Sequence, residues 1–408
     1  MPVPTPKVEI GFDIVGANAP FFTLDDPVKG IINNTTYPLG GQIFYDVTDK
    51  VRGITTRRGK NRQLDEFDAG LANVVFENND RTFDPEYAAS PYYGQIIPKR
   101  SIRISSAGNR IFTGVIDDWN LNYEPGGFSE ASAAASDAFT LFNTQTLSAG
   151  TATAQLSGAR VNAILNLPDV NWPQQDRDID AGITQLGADV FAEDTNVLAY
   201  LRTVSNSEPG NLFINKVGHV TFTDRNPNSG DKVIGFADDG TGIPYQGMKV
   251  VYGSELLYNE IVLGSQFAGT VTATDPTSID EYGVLNLTQT DLLVADPTVI
   301  EQLAAYYAIK YSQPEYRFES IDVVVDDLPD AEQQEVLALE IGDFVTVKFT
   351  PNGVPPAIRK VAEIIRIDHD ITPEAHIVSL GFSTTEGAFW TLSDIIFGRL
   401  STGNVLGF

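Results

Sequence analysis

The sequence predicts a mainly β chain with a smaller α+β insert. Three observations carry that prediction. Apolar and polar residues alternate with period two in short runs across 42–122, and the chain returns to such runs after about residue 234. Helical spacing is concentrated between 145 and 230 and in one segment near 300. Turns rich in Gly, Asn, Asp and Pro separate the runs. In the first stretch Ile43, Tyr45 and Val47 alternate with Gln42, Phe44 and Asp46. Ile102 and Ile104 alternate with Arg103 and Ser105, and Trp119, Leu121 and Tyr123 with Asp118, Asn120 and Asn122. Gly70 and Asn78-Asn79-Asp80 read as chain reversals. Strands of this kind build a barrel or a sandwich and imply no chemistry by themselves.

Four regions follow in order. Residues 1–40 are rich in Pro, Asn and Thr and read as an irregular arm with one strand at 7–15. Residues 41–144 form the first β-domain, which a short helix at 136–143 leaves. Residues 145–232 form a middle α+β domain. Its first helix, 157–167, sets Val161, Ile164 and Leu165 on one face. Its second is capped by Asp194 and carries Val197, Leu198, Leu201 and Val204. Pro209-Gly210 ends it, and 212–223 reads as a hairpin. Residues 233–408 form a second β-domain, with early strands at 249–252 and 259–264. Asp296 caps its long helix and Pro297 takes the first helical position, where no N–H is needed. Ile300, Leu303, Ala304, Tyr307 and Tyr311 follow at helical spacing, up to Pro314. Strands at 317–325, 343–349, 359–369 and 376–382 come next, with a helical segment at 331–339. The C-terminal run FWTLSDIIFGRL is apolar enough to dock on the core or on a neighbour. The order of pieces around Val115 to Tyr123 resembles that around Glu363 to Ile371, so the two β-domains read as a weak internal repeat.

The chain has 408 residues, room for two or three domains. It has no cysteine, which excludes disulfides and thiolate metal sites. No basic and apolar leader opens it, and no apolar run approaches the ~20 residues of a membrane span. Lys plus Arg is 27 against Asp plus Glu 54, a net charge of −27. Phosphate contacts need clustered cations, so nucleic-acid binding is not the main business of this chain. The acidity serves either solubility or a wall past which DNA slides without sticking.

Few residues suggest chemistry. Of three histidines, His219 follows a turn glycine and is expected to face solvent. His369 and His376 flank the turn at Pro373 and meet across a hairpin, either as surface imidazoles or, with Asp368 and Asp370, as a metal pair. Asn78, Asp80, Thr82 and Asp84 have the spacing of a calcium loop, but Phe83 and Ala89 stand where that loop requires Gly and Glu. They read as turn-capping side chains. Trp119 and Trp390 read as core, and Trp172 in Asn171-Trp-Pro is the least explained. One basic island, Arg57, Arg58, Lys60 and Arg62, stands out in so acidic a chain. It is either an exposed hairpin loop or a loop that grips an acidic face of a neighbouring subunit.

The string F-x-A-G-x-A-x-V-x-F-x-N-x-D-x-x-F-D-P, from Phe67 to Pro85, is followed by SPYYG, IPKRSIRI and IFTGVIDDW. Together they resemble the minor tail proteins of long-tailed, siphovirus-type phages, and among these the baseplate or tail hub proteins. SEPGNLFINKVGHVTFTDR is similar to their middle domain. The resemblance spans 42–123, 155–226 and 280–408. It implies two tail-tube-like β-barrels flanking the middle α+β domain. It implies a structural, non-enzymatic virion protein at the distal tip of the tail, a homotrimeric ring that closes the tube and opens for DNA passage. The implied partners are the distal tail protein, the tape measure protein and tail fibre or spike proteins. DNA passes without specific binding, and no catalytic, cofactor or metal residue is implied. The alternatives are a six-copy distal tail ring protein, a carbohydrate-binding receptor-recognition module, and an enzyme on cell-wall glycan.

Overall fold

The computed structural model describes residues 5–12, 43–225 and 234–384. Most of the expected arm, the C-terminal run and Trp390 lie outside them. The chain opens with β1 (Pro6–Phe12), β2 (Ile43–Asp46), β3 (Val51–Gly59), β4 (Asp68–Glu77), β5 (Ser101–Ser106), β6 (Asn109–Tyr123) and β7 (Ser129–Ser136). Ile102 and Ile104 of β5 are fully buried, and Trp119 and Leu121 of β6 pack on the core, as their alternation predicts.

Gly70 is not a reversal. It lies inside β4, where its N–H donates to Asp137 Oδ2 at 2.6 Å and a Cβ would meet that oxygen at 2.7 Å. Asp137 also caps α1 (Ala138–Thr144), its Oδ1 accepting from the Phe139 N–H at 2.9 Å. Burial pushes this carboxyl up to about 7, against the pull of the two N–H donors. Asp137→Ala removes a cap and orphans the Gly70 N–H, and is expected to destabilise the chain by about 2 kcal/mol in denaturant unfolding. A loss under about 0.5 kcal/mol contradicts the capping role.

The middle region holds α2 (Ser157–Leu165) and α3 (Val197–Ser207) among seven short strands: β8 (Thr146–Leu147), β9 (Gly150–Ala152), β10 (Gln155–Leu156), β11 (Arg177–Ile179), β12 (Gln185–Leu186), β13 (Asp189–Phe191) and β14 (Thr195–Asn196). Asn196, not Asp194, caps α3 by accepting from the Ala199 N–H; Asp194 sits in a left-handed turn at φ 62°. The expected hairpin is β15 (Asn211–Ile214) and β16 (Val220–Thr223), and β11 adds in parallel to β16.

The last region holds β17 (Ile234–Ala237), β18 (Gly247–Tyr252), β19 (Glu260–Ser265), β20 (Gly269–Thr274), α4 (Pro276–Tyr282), β21 (Asn286–Leu292) and α5 (Pro297–Tyr311). β22 (Tyr316–Val324), α6 (Asp330–Ala338), β23 (Phe344–Phe349), β24 (Ile358–Ile371) and β25 (His376–Thr384) complete it. Asp296 caps α5 with Pro297 in its first turn, as the sequence predicts. α5 packs its buried Ile300, Leu303, Ala304 and Tyr307 beneath the three-stranded sheet β20-β19-β21.

The remaining strands form one large, mainly antiparallel sheet in the order β18-β22-β25-β24-β3-β4-β7-β6-β5-β1-β2, with β23 and β17 branching from β24. In place of two separate barrels, the two β regions share this sheet through β24 and β3, and the described strands of one chain close no barrel. One continuous hydrophobic core lies under it, from Val8 to Phe382.

Candidate functional site

Eight consecutive strands of that sheet, β18-β22-β25-β24-β3-β4-β7-β6, divide into two sets of four with the same pattern. In the first set, β6 pairs β5 along its first half and β7 along its second. In the other set, β24 pairs β23 along its first half and β25 along its second. Both long strands carry a register shift at the same place, between Ile116 and Asp118 and between Ile364 and Arg366. Thr55–Asn73–Ala134–Asp118 is a row of partners across the first set. Lys249–Ser320–Gly381–Arg366 is the matching row across the second. The internal repeat weakly signalled in the sequence therefore recurs strand for strand in the pairing.

The two sets meet where β3 runs antiparallel to the second half of β24: Arg366 faces Gly59, Asp368 faces Arg57 and Asp370 faces Thr55. The matching position on the first set is the outer edge of the second half of β6. There, Asp118 to Tyr123 pair only β7 among the described residues. The counterpart of β3 is β18, which among the described residues pairs only β22. Among the described residues, the eight-stranded run thus ends on β18 at one side and on the unpaired second half of β6 at the other.

The run has an apolar face and a polar one. Ile54, Thr56 and Arg58 of β3 point into the core, as do Ile367, His369 and Ile371 of β24. Thr55 and Arg57, Asp368 and Asp370, Asp322, Ser379, Asn73, Ser132, Asp118 and Asn120 face the other way. On this free face Arg366 Nε lies 3.1 Å from Asp368 Oδ2. Burial pushes the Asp368 carboxyl up, with Arg366 and Arg57 opposing.

The basic island is split by that alternation. Arg57 and Arg62 are exposed; Arg62 pairs with Glu255 at 2.8 Å. Arg58 is buried, with Nη1 2.6 Å from Glu340 Oε1 and Nε donating to the Ile111 carbonyl at 3.2 Å. Glu340 Oε2 accepts from the Lys216 N–H at 2.9 Å. Lys60 is buried over the Phe67 ring, and desolvation lowers its ammonium to about 8 despite the nearby Glu363. The period-two pattern of β3 held the signal: Arg58 has the parity of buried Ile54.

The histidines also depart from expectation. His369 and His376 do meet across the hairpin, Nδ1 to Nε2 at 3.0 Å, but they are 4% and 1% exposed and are not surface imidazoles. Asp368 and Asp370 point to the opposite face. Among the described residues no group of three or more His, Asp or Glu side chains is placed to hold a metal. His219 Nδ1 lies 3.0 Å from Asp178 Oδ2 and is half-buried. Around Asn78 the side chains cap the turn: Asn78 Oδ1 accepts from the Phe83 N–H, Asp80 Oδ1 from Thr82 and Asp84 Oδ1 from Glu86. Trp172 donates to the Asp176 carbonyl at 2.9 Å and meets Phe142 edge-on, so it is a packing residue. No described helix is long and apolar enough to cross a membrane.

No protein-family model matches the sequence, and no curated protein matches it. The fold is shared with solved tail proteins. A tail protein from Neisseria meningitidis MC58 superposes with a TM-score of 0.60 at 14% identity, over 94% of this chain and 97% of that one. The 43 kDa tail protein of prophage MuSo2 from Shewanella oneidensis superposes with a TM-score of 0.58 at 13% identity, over 93% and 98%. At such identity the likeness is one of fold.

Proposed function

We propose that this chain is a structural, non-enzymatic protein of a phage-type tail, and that three copies form a hub ring at the distal end of the tail tube. The observation that carries the reading is the repeated four-strand unit with two open edges, on a fold shared with tail proteins. Head-to-tail association through two different surfaces generates a ring when the rotation closes. Inside the chain, β3 of one unit docks on β24 of the other. The same operation between chains docks β18 of one copy on the free half of β6 in the next, removing both open edges. Asn122 is the counterpart of Asp370, and Lys249 that of Thr55. If the contact between copies repeats the register Asp370–Thr55, Asn122 stands opposite Lys249 of the neighbouring copy. Gly253 then takes the place of Gly59, and a Cβ there meets nothing within 4 Å in the isolated chain.

Three chains give six quasi-equivalent units around a closed barrel, so the two tail-tube-like barrel domains are completed by assembly. The regions 41–144, 145–232 and 233–408 supply first unit, middle domain and second unit, and the described part of 1–40 is β1, which adds to the sheet beside β5. The free polar face lines the lumen. Asp118, Asp322, Asp368 and Asp370 repel DNA there, with Arg57 and Arg366 held among them, so DNA passes without sticking. Arg57 thus serves the lumen, while Arg62 is held within the chain by Glu255. The distal tail protein, the tape measure protein and fibre or spike proteins are the neighbours such a ring meets in the virion. The stoichiometry of the assembled ring, read by native mass spectrometry or by quantitation in purified particles, tests this. Trimers support the hub. Hexamers move the protein to a distal tail ring, and sugar-dependent binding by a monomer favours a receptor module.

A further inference from the structure

We propose that the hydrogen-bonded pair His369–His376 is an acid-sensitive latch, which holds the β24–β25 hairpin against β3 and β5 while neutral and releases it when a proton enters. The pair sits on the core side of the junction between the two four-strand units. His369 is directly opposite Thr56 of β3, and His376 opens β25. His376 Nδ1 lies 3.3 Å from Ser106 Oγ, at the end of β5. The His376 backbone N–H donates to Asp326 Oδ2 at 2.8 Å, in the turn after β22. Four chain segments therefore converge on two buried rings.

The hydrogen bonding is satisfied only with limited protons. A 3.0 Å contact between ring nitrogens requires one donor and one acceptor. In one arrangement His369 donates through Nδ1 and His376 donates through its own Nδ1 to Ser106. In the other, His376 donates through Nε2, and Ser106 donates to its Nδ1. A first extra proton enters the second arrangement at His376 Nδ1, with Ser106 turned to accept. A second must enter on His369, already beside a charged ring.

The surroundings oppose a charge on either ring, first of all through burial. Arg58 of β3 and Lys216 of the β15–β16 turn both repel a proton on His369. Glu340 is already engaged by Arg58 and by the Lys216 backbone. Asp343 lies behind it, its Oδ2 accepting from the Glu340 N–H. Asp326 is the acid nearest His376, and its Oδ1 is buried without a hydrogen-bond partner. Burial raises the Asp326 carboxyl, which weakens it as a counter-ion. Thr56 and Ser106 are uncharged. Burial accordingly holds His376 down to about 4 and His369 well below its ordinary value. The sign follows. Rings at their ordinary value of about 6.5 in the opened hairpin bind more protons than the closed pair. Opening becomes easier as pH falls from about 6.5 towards 4, by about tenfold per pH unit for each ring, and levels off below the closed-state value.

Hydrogen–deuterium exchange of the full chain between pH 7 and pH 4, corrected for intrinsic rates, tests the latch. Peptides from β5 and the β24–β25 turn are expected to lose protection at least tenfold by pH 5, while β19 and α5 keep theirs. His369→Gln and His376→Gln are expected to flatten this pH response. Uniform exchange across the chain, or the same response in wild type and variants, overturns the proposal. If either variant fails to fold, NMR titration of the wild-type imidazoles decides: rings titrating below about 5 support it, and rings titrating near 6.5 overturn it.

Discussion

Arg58→Met is expected to destabilise the chain by about 3 kcal/mol, whereas Arg57→Met, one residue away, changes stability by no more than about 0.5 kcal/mol. The difference follows from strand parity. Arg58 is 3% exposed, and its guanidinium ties β3 to the Ile111 carbonyl of β6 and to Glu340. Glu340 in turn accepts from the Lys216 and Ile341 N–H groups, so removing the guanidinium leaves a partly buried carboxylate hydrogen-bonded to amides, with the Lys216 ammonium as its remaining counter-charge. Breaking such a pair from one side costs more than the pair contributes, because the remaining charge stays desolvated. Glu340 keeps some contact with solvent, which sets the expected loss at the lower end of the range for buried pairs. Arg57 faces the free side of the sheet, where its hydrogen-bond partner Asn61 is exposed to water and Asp368 keeps Arg366 as its counter-ion. Chemical denaturation of both variants measures the contrast, and equal losses contradict the assigned parity.

Gly59→Ala is expected to cost about 3 kcal/mol, and Gly53→Ala almost nothing. At Gly59 the backbone has φ 114°, and a Cβ would lie 2.2 Å from the Ile365 carbonyl oxygen and 2.7 Å from the Arg366 Cα. Ile365 is the residue skipped in the pairing of β24 with β25, and its carbonyl accepts from the Lys60 N–H at 2.9 Å. A methyl group there combines backbone strain with overpacking against main chain that cannot give way. Gly53 lies on the same strand, but its Cβ would find only the Ile371 carbonyl, at 3.7 Å. Denaturant midpoints for the two variants separate a specific close approach from a general intolerance of β3. A tolerated Gly59→Ala means that the two units do not meet in this way.

What was legible in the sequence was local. Alternation marked β5 and β6 because one face of each lies on a core and the other does not. Asp296-Pro297 announced α5 because capping is decided within four residues. The cap of α3 was misplaced by two residues because Asp194 and Asn196 are both competent, and only the left-handed turn at Asp194 excludes it. Gly70 looked like punctuation and is a packing residue, because its partner Asp137 lies 67 residues away. The junction of β3 with β24 joins segments about 300 residues apart, and no local pattern specifies such a pairing. The similarity of Val115–Tyr123 to Glu363–Ile371 was its only trace. The same distance hid the burial of His369 and His376. Their place in the hairpin was legible, but the Ser106 and Arg58 that enclose them belong to β5 and β3, more than 250 residues earlier in the chain.

The central claim is that β18 of one copy completes β6 of the next. The chain has no cysteine, so one engineered pair reports without background. Asn122→Cys and Lys249→Cys, combined in one chain and oxidised after assembly, place the two thiols opposite each other on antiparallel strands of neighbouring copies, within disulfide reach. The account predicts covalent dimers and trimers and nothing larger, with either single variant silent. Crosslinks confined to one chain, a ladder running to six, or no crosslink in intact rings would contradict it.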